Sequence, residues 1–527
     1  MARLPSVKTT ISLFLLAIMP ASAALADTPW EQATKNGEES RRALLGCWRY
    51  LHGWLQHADR TSGLIPRNLG KDAYWNAKDS AADNYPFMVL SAYYTDRPLY
   101  DGVMHDMLRA ERRLTDRAGH LPDDFLFSTQ SFRPRTPKLA ELIFGASEYA
   151  KDGLMPVTEL LGPTPWTDRL QELLNEVLDR GNIETEAGRI PSTSLEVCGE
   201  LMQTLSRMHW MTGNDDYRRA AYQLADYFLR YHLPIEQDRL SLDDHGCEFI
   251  SGLSEVYYLA AHKDPDRRRA WRPALHRLLD RILEVGRDPH GLFVMCINPI
   301  TGEQTNKELT DNWGYNYNAY LVVGELDDVP RYRQAVASAL ANLPRFNDYP
   351  WERDSADGIA DSLEGGINLI NRIPDPQAIT WAHFTARRLL AKQRDTGVIE
   401  GWHGDGNFAR TALMLALWDS AGAYVTPWRA DLKLGAYRDD DGTYHFELRA
   451  DWPWQGRLHF DRPRHAETLH LPTDYARLNQ FPEWFTVAED AGFASNAGQV
   501  TGRQLRQGLD VSVRPEQPYR MTLRKER

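Results

Sequence analysis

Three separate stretches of this chain begin in the same way. Thr95 to Tyr100, Thr212 to Tyr217 and Asp327 to Tyr332 each run through turn and capping residues into a tyrosine. Each tyrosine starts an apolar stripe: Val103, Met104, Met107 and Leu108; then Ala220, Ala221, Leu224, Ala225 and Phe228; then Ala335, Val336, Ala339, Leu340 and Leu343. The spacing i, i+3, i+4, i+7, i+8 predicts an amphipathic helix with one wet face. Capping residues at the entry are where such helices start. Two more helices fit the series, one after Pro165 and Trp166, one around Trp271, Leu275, Leu278, Leu279 and Ile282. A repeated unit that cannot cover its own apolar face must be covered by its neighbours, so the repeat restricts the chain to a stacked or closed array of helical hairpins.

Between these helices lie others of a different texture. They start near Asp79, Pro137, Thr193, Asp243, Asp311, Asp357 and Asp405, carry fewer charges, and hold more Gly, Ala, Tyr and amide residues. In the one after Asp243, Phe249, Ile250, Leu253, Val256, Tyr257 and Ala260 form a stripe, while Asp244, His245, Glu248 and Glu255 lie elsewhere. Half-wet helices alternating with mostly buried ones predict a ring of six or seven hairpins, from a first helix at about 33–58 to about Gly422, with the buried set lining the ring. The chain is mainly α over this span.

The outer-helix openings, above all Met211 to Ala221, resemble those of the (α/α) toroid superfamily, the six-hairpin glycosidase-like proteins. The likeness covers about residues 33–422 and is specific for architecture. Members include glycoside hydrolases, polysaccharide lyases and sugar epimerases, so it implies a carbohydrate-active enzyme without choosing a reaction.

The ends of the chain read differently. After Pro427 the helical period stops. Thr443–Arg449 alternates with period two after a turn at Asp439–Gly442, and Gln455–Phe460 and Tyr519–Leu523 are also strand-like. Residues 427–527 are expected to be a small antiparallel β domain of sandwich type, in a structural role rather than as a sugar-binding module. At the other end, Arg3 and Lys8, the apolar run Ile11–Met19 and small residues up to Ala26 describe a signal peptide over 1–26, with Ala23 as a second cleavage point. This leaves 27–426 as the toroid and predicts a periplasmic or secreted protein. No later stretch is apolar for long enough to span a bilayer. The net charge of −12 becomes −14 without residues 1–26, which argues against a nucleic-acid partner. Cys47, Cys198, Cys247 and Cys296 show no metal-ligand spacing, so no zinc site is expected. Export permits disulfides, Cys198 with Cys247 among them, and buried free thiols are the equal alternative. No phosphate or dinucleotide fingerprint occurs, and neither a cofactor nor a metal is implied.

The candidate site follows from the ring. Inner helices of an antiparallel ring all point one way, so their N-termini meet at one mouth. The entries to those helices are the unusual stretches: Trp75–Asp79 with Asp83; Asp243–Glu248; Asp311–Tyr320; Ser355–Gly365; and Gly401–Arg410. Acids at helix starts are ordinarily caps. Capping does not explain Asp361, Glu364 and Asn368, which share one face deeper in a helix. Aromatic rings beside amides and acids suit sugars, which offer apolar C–H faces and hydroxyls. The expected substrate is an oligo- or polysaccharide and the expected reaction is hydrolysis, with one carboxyl protonating the leaving oxygen and a second activating water. Asp361 or Glu364 is the candidate for one role and Asp311 for the other, with Asp244 in reserve. Trp313, Tyr315, Tyr317 and Trp402 would stack on sugar faces. His403, Asp405 and Arg410 would bind hydroxyls or a carboxylate, with Asn312, Asp83 and His245 completing the wall. Three glycines between Gly401 and Gly406 would let the chain approach a ligand. The alternative is a lyase in which Tyr317 or His403 takes a proton beside a uronate neutralised by Asn312, Asn318 and Arg410. A non-catalytic glycan-binding protein is the third reading.

Overall fold

The computed structural model describes residues 27–70 and 73–526. The expected signal peptide lies outside the described residues. The first helix is Pro29–Leu55, opened by Thr28, whose side chain and that of Glu31 cap each other's backbone. The three repeated openings all start helices, at Arg97, Asp215 and Pro330. The second shows how: Gly213 takes a left-handed conformation (φ +72°) that ends the preceding helix, and the Asn214 side chain accepts from Asp216 N at 2.9 Å to start the next. In Asp215–Asp226 the buried face is Tyr217, Ala221, Leu224 and Ala225, and in Pro330–Asn342 it is Tyr332, Val336, Ala339 and Leu340, as the periodicity requires.

The inner helices are buried nearly all round. Trp313 to Val323 is an unbroken buried run. Among the described residues there are seven such spans: 77–95, 139–161, Leu195–Thr212, Asp244–Lys263, Trp313–Asp327, Ala356–Arg372 and Asn407–Asp419. Each packs on the next in that order, and the last packs back on Tyr85–Thr95, closing the ring. The number of hairpins is therefore seven. Their richness in glycine has a packing cause. Gly314 and Gly365 meet where two inner helices cross, and a Cβ on Gly314 would sit 2.6 Å from the Gly365 backbone. Two of the spans widen into π-helical turns, at Ala77–Asn84 and Tyr149–Leu154, a distortion that re-aims side chains and recurs at functional sites. The four cysteines are buried free thiols. No helix among the described residues is long and apolar enough to cross a membrane.

The C-terminal strands form two antiparallel sheets. One has the order Lys433–Arg438, Tyr444–Arg449, Tyr519–Lys525, Gly492–Ser495, Gly498–Thr501; the other joins Tyr424–Thr426, Trp454–His459 and Leu509–Val513. Between them Leu434, Phe446, Leu458, Phe485, Phe493 and Leu523 make a second core. The first helix seats this domain: Thr34 Oγ1 donates to Glu447 at 2.5 Å and Asn36 Nδ2 to the Ala436 carbonyl at 2.7 Å.

One segment leaves the sandwich. Between Trp454–His459 and Gly492–Ser495 the chain crosses to the ring and enters it from the C-terminal ends of the inner helices. Tyr475 packs on Tyr258 with ring centroids 4.1 Å apart, and its hydroxyl donates to Glu255 at 2.8 Å. Arg477 pairs with Glu159 at 3.4 Å and with Asp474 at 3.0 Å. Arg207 donates to the Leu478 carbonyl at 3.0 Å while pairing with Glu159 and Glu255. Leu478 then reaches Cys247 and Tyr315, near the N-terminal ends of their helices. The lumen is thus filled from below, and what remains open is a cup at the mouth.

Candidate functional site

The cup is a cavity of about 240 Å³. Every inner helix contributes to its wall. Asp79 and Asp83 come from one π-helical turn; Lys151 and Asp152 from the other, with Glu148 just before it. Glu196, Asp244, Cys247 and Glu248, Asn312 and Tyr315, Asp357 and Asp361, and Asn407 and Arg410 come from the entries and first two turns of the other five. Arg67, Lys78, Phe144, Trp402 and His403 form the rim, and Leu478 and Asn479 the floor. Nine carboxyl groups face four permanent cations.

Three of those cations are already committed. Arg67 pairs with Asp79. Lys151 pairs with Asp152 at 2.6 Å and with Glu248. Arg410 pairs with Asp361 at 2.9 Å and with Glu364 beneath it. Burial would raise the Asp152 carboxyl, but the Lys151 charge and hydrogen bonds from Glu148 and Lys151 outweigh it and hold the group below its ordinary value. Asn479, in a left-handed conformation (φ 58°), donates to the same carboxylate at 2.6 Å. Glu248 is pushed up to about 7 by burial, against Lys151.

Asp361 is held by three donors: Tyr315 OH at 3.2 Å, Asn312 Nδ2 at 3.2 Å and Arg410 Nη2 at 2.9 Å. Burial and the neighbouring Asp357 nevertheless raise its pKa, with Arg410 opposing. Asp83 contrasts with it. Among the described residues its carboxyl accepts no hydrogen bond, and its ion-pair contact is His403 Nε2 at 3.7 Å. Burial, then the charges of Asp152, Asp79 and Asp357, push it well above the carboxylate range, and Arg410 opposes only from a distance.

Of the residues expected from the sequence, the ring brings together Asp83, Asp244, Asn312, Tyr315, Asp361, Trp402, His403 and Arg410. The side chain of His245 lies outside the described residues. Others sit behind the wall. Glu364 is 0% exposed and pairs with Arg410 from below, so it is a buried counter-ion without access to the cavity. Asp311 is buried, its Oδ1 accepting from the Asn312 amide at 3.1 Å and its Oδ2 lying against Gly358. Trp313 is in the core, donating to Ser362 Oγ at 2.9 Å and meeting Trp381 edge to face. Tyr317 donates to the Gly291 carbonyl and packs on Phe293. Asn318 is buried outside the cavity wall. Asp405 is buried against the start of its helix, raised to about 8 by burial and Asp357 with His403 opposing. The glycines before Arg410 serve the protein's own backbone. A Cβ on Gly406 would lie 1.6 Å from the Asp83 carbonyl oxygen, so it is this glycine that lets the last inner helix lock onto the turn carrying Asp83.

Sequence reasoning missed Glu148, Lys151, Asp152, Phe144 and the floor. The first three had a signal: charges at i, i+3 and i+4 within the otherwise apolar stretch Leu142–Val157. The floor had none, because Tyr475–Gln480 has no period.

No protein-family model matches the chain, and no curated protein sequence matches it. Solved structures with a similar course include cellobiose 2-epimerase from Spirochaeta thermophila (14% identical, TM-score 0.43, covering 74% of this chain and 98% of that one). The GH76A alpha-1,6-mannanase of a Salegentibacter species is 11% identical (TM-score 0.39, 72% and 98%). A possible member of the GH105 family from Salmonella enterica serovar Paratyphi A is 12% identical (TM-score 0.38, 52% and 81%).

Proposed function

We propose that this chain is a carbohydrate-active enzyme that hydrolyses a glycosidic bond of an oligo- or polysaccharide, with Asp83 as general acid and Asp361 as general base. The observation that carries this reading is the unequal treatment of two carboxyls in one cavity. Both are raised by burial, yet Arg410 touches Asp361 and only senses Asp83. Asp361 therefore gives up its proton first and Asp83 keeps one to donate, which is the division of labour that glycoside hydrolysis needs. In the reaction Asp83 protonates the glycosidic oxygen as the C–O bond breaks. Water attacks the anomeric carbon and passes its proton to Asp361. A base whose pKa sits above the ordinary carboxylate value is stronger for that purpose.

Two rings at the rim suit a sugar chain. Trp402 is 82% exposed, steadied by Arg67 stacked 5.5 Å from its ring. Phe144 lies across the mouth beside Lys78. The acidic lining favours neutral or cationic sugars. It counts against elimination on a uronate, because Arg410 and Asn312 already serve Asp361 and Tyr317 lies in the core. The leader read at residues 1–26 supports action in the periplasm or medium. The test is a screen of neutral and amino polysaccharides with reducing-end and ultraviolet readouts together. New reducing ends without an unsaturated product are expected. Asp83→Asn and Asp361→Asn should each lower kcat by about 10³-fold with the fold retained. Turnover surviving in Asp83→Asn would remove the general acid, and ultraviolet-absorbing product would replace hydrolysis with elimination.

A further inference from the structure

One part of the cavity wall has no task in that chemistry. Glu196 and Glu200 stand one turn apart on Leu195–Thr212 and so share a face. Glu148 closes the group from the neighbouring inner helix Leu139–Glu148. One carboxylate oxygen from each lies within 4.8 Å of the other two. Like charges at this helical spacing repel, and a buried carboxylate is costly unless something pairs with it. Glu200 is 0% exposed, no N–H or hydroxyl among the described residues donates to either of its oxygens, and the side chain it reaches, Glu248, is another carboxyl. The adjacent Ser147 hydroxyl donates elsewhere, to the Phe144 carbonyl at 2.9 Å. The Lys151 ammonium is taken by Asp152 and Glu248. Glu148 and Glu196 line the cavity, so the group is reachable from the mouth.

We propose that Glu148, Glu196 and Glu200 bind a hard divalent cation, Ca²⁺ in preference to other ions. The ligand chemistry is all oxygen, which selects hard ions over Zn²⁺ or Cu²⁺. Oxygens sharing one Ca²⁺ at roughly 2.3–2.6 Å can lie no more than about 5 Å apart, and these three meet that limit. Three carboxylates crowded into one wall suit Ca²⁺, which accepts irregular geometry, better than Mg²⁺, which keeps its own waters. The ion would fix the helix 139–161 to Leu195–Thr212 on the side of the cup opposite Asp361 and Arg410, and so hold the wall that carries Asp152.

The test needs no substrate, so its outcome is separate from the fate of the hydrolase reading. The full chain is stripped with EDTA, freed of chelator, and melted with and without 1 mM CaCl₂, MgCl₂ or ZnCl₂. Ca²⁺ should raise Tm by about 4 °C for a site of micromolar affinity. Glu200→Gln keeps the shape and removes the charge, so it should fold with an unreduced metal-free Tm and lose the Ca²⁺ response. Glu148→Gln, on the other helix, should weaken the same response. A wild-type Tm that ignores Ca²⁺, a response confined to Zn²⁺, or a Glu200→Gln protein that responds like the wild type would each overturn the site.

Discussion

Arg410 is the cation that holds Asp361 in the cavity wall and Glu364 behind it, and removing it gives a measurable test of how that wall is held. Its guanidinium touches Asp361 at 2.9 Å and Tyr315 OH at 3.2 Å and pairs with Glu364, all buried. Arg410→Met conserves most of the volume and strands two carboxyls. Breaking a buried pair by deleting one partner costs about 3–5 kcal/mol. At an unfolding entropy of about 2 cal/mol/K per residue, a chain of 527 residues loses roughly 1 °C of Tm per kcal/mol, so Tm should fall by about 3–5 °C. The fall should depend on pH. Without Arg410 the folded-state pKa values of Asp361 and Glu364, already raised by burial, rise further above their unfolded values. A group of that kind contributes its full stability below the unfolded pKa and loses it as pH climbs through the folded one. The variant should therefore be nearly as stable as the wild type in acid, near pH 4, and weakest at pH 8. Adding Glu364→Gln removes one stranded charge and should recover about half of the loss at pH 8, a non-additivity that a double-mutant cycle reads directly. Calorimetric melts of the four proteins at pH 4, 6 and 8 decide it. A Tm loss that is the same at every pH, or additive with Glu364→Gln, would refute the claim that Arg410 neutralises these two acids.

Two further outcomes follow from the cup. Gly406→Ala drives a methyl group into the Asp83 carbonyl, 1.6 Å away; the turn must shift, and kcat should drop by at least about 10²-fold while circular dichroism stays unchanged. Trp402→Ala removes the exposed platform without touching either carboxyl, so KM should rise about tenfold with kcat nearly constant, as for a contact made equally in ground and transition states.

The parts of this molecule that could be read from its sequence are the local ones. Tyr217 with its stripe, or Tyr332 with its own, specifies a helix and a buried face within a dozen residues, and the repetition of that unit leaves few ways to cover the faces. The mouth was readable for a geometric reason: once the hairpins alternate, Asp83, Asp244, Tyr315, Asp361 and Arg410 must converge although more than 300 positions separate the first from the last. Which side of each inner helix looks at the lumen was only partly readable, because these helices are buried all round and their polar residues also serve one another: on the face shared by Asp361 and Glu364, Asp361 reaches the cavity and Glu364 lies behind it. In the run Asn312–Tyr317 only Asn312 and Tyr315, three residues apart, face the cavity, while Trp313 and Tyr317 turn to the neighbouring helices. Composition marked the stretch and overcounted its members. The π-helical turns hid a second set, since Asp79, Asp83 and Asp152 are aimed by a local widening that a 3.6-residue period does not describe.

The C-terminal domain changes the most between sequence and structure. Expected as a structural appendage, it sends Tyr475–Gln480 up the lumen from below and supplies the bottom of the cup. Seven inner helices enclose a wider hole than their own side chains fill, and the polar groups left inside need partners. Arg207 and Arg477 meet Glu159 and Glu255 there, and Tyr475 completes the set. Buried ion pairs contribute little net stability but are costly to mismatch, so they fix where the inserted segment stops. That stopping point sets the height of Asn479 beneath Asp152, and with it the depth of the cavity. A ring of this size and a sandwich with this excursion therefore build one cavity together: the helices aim the acids at the mouth, and the β domain sets the floor beneath them.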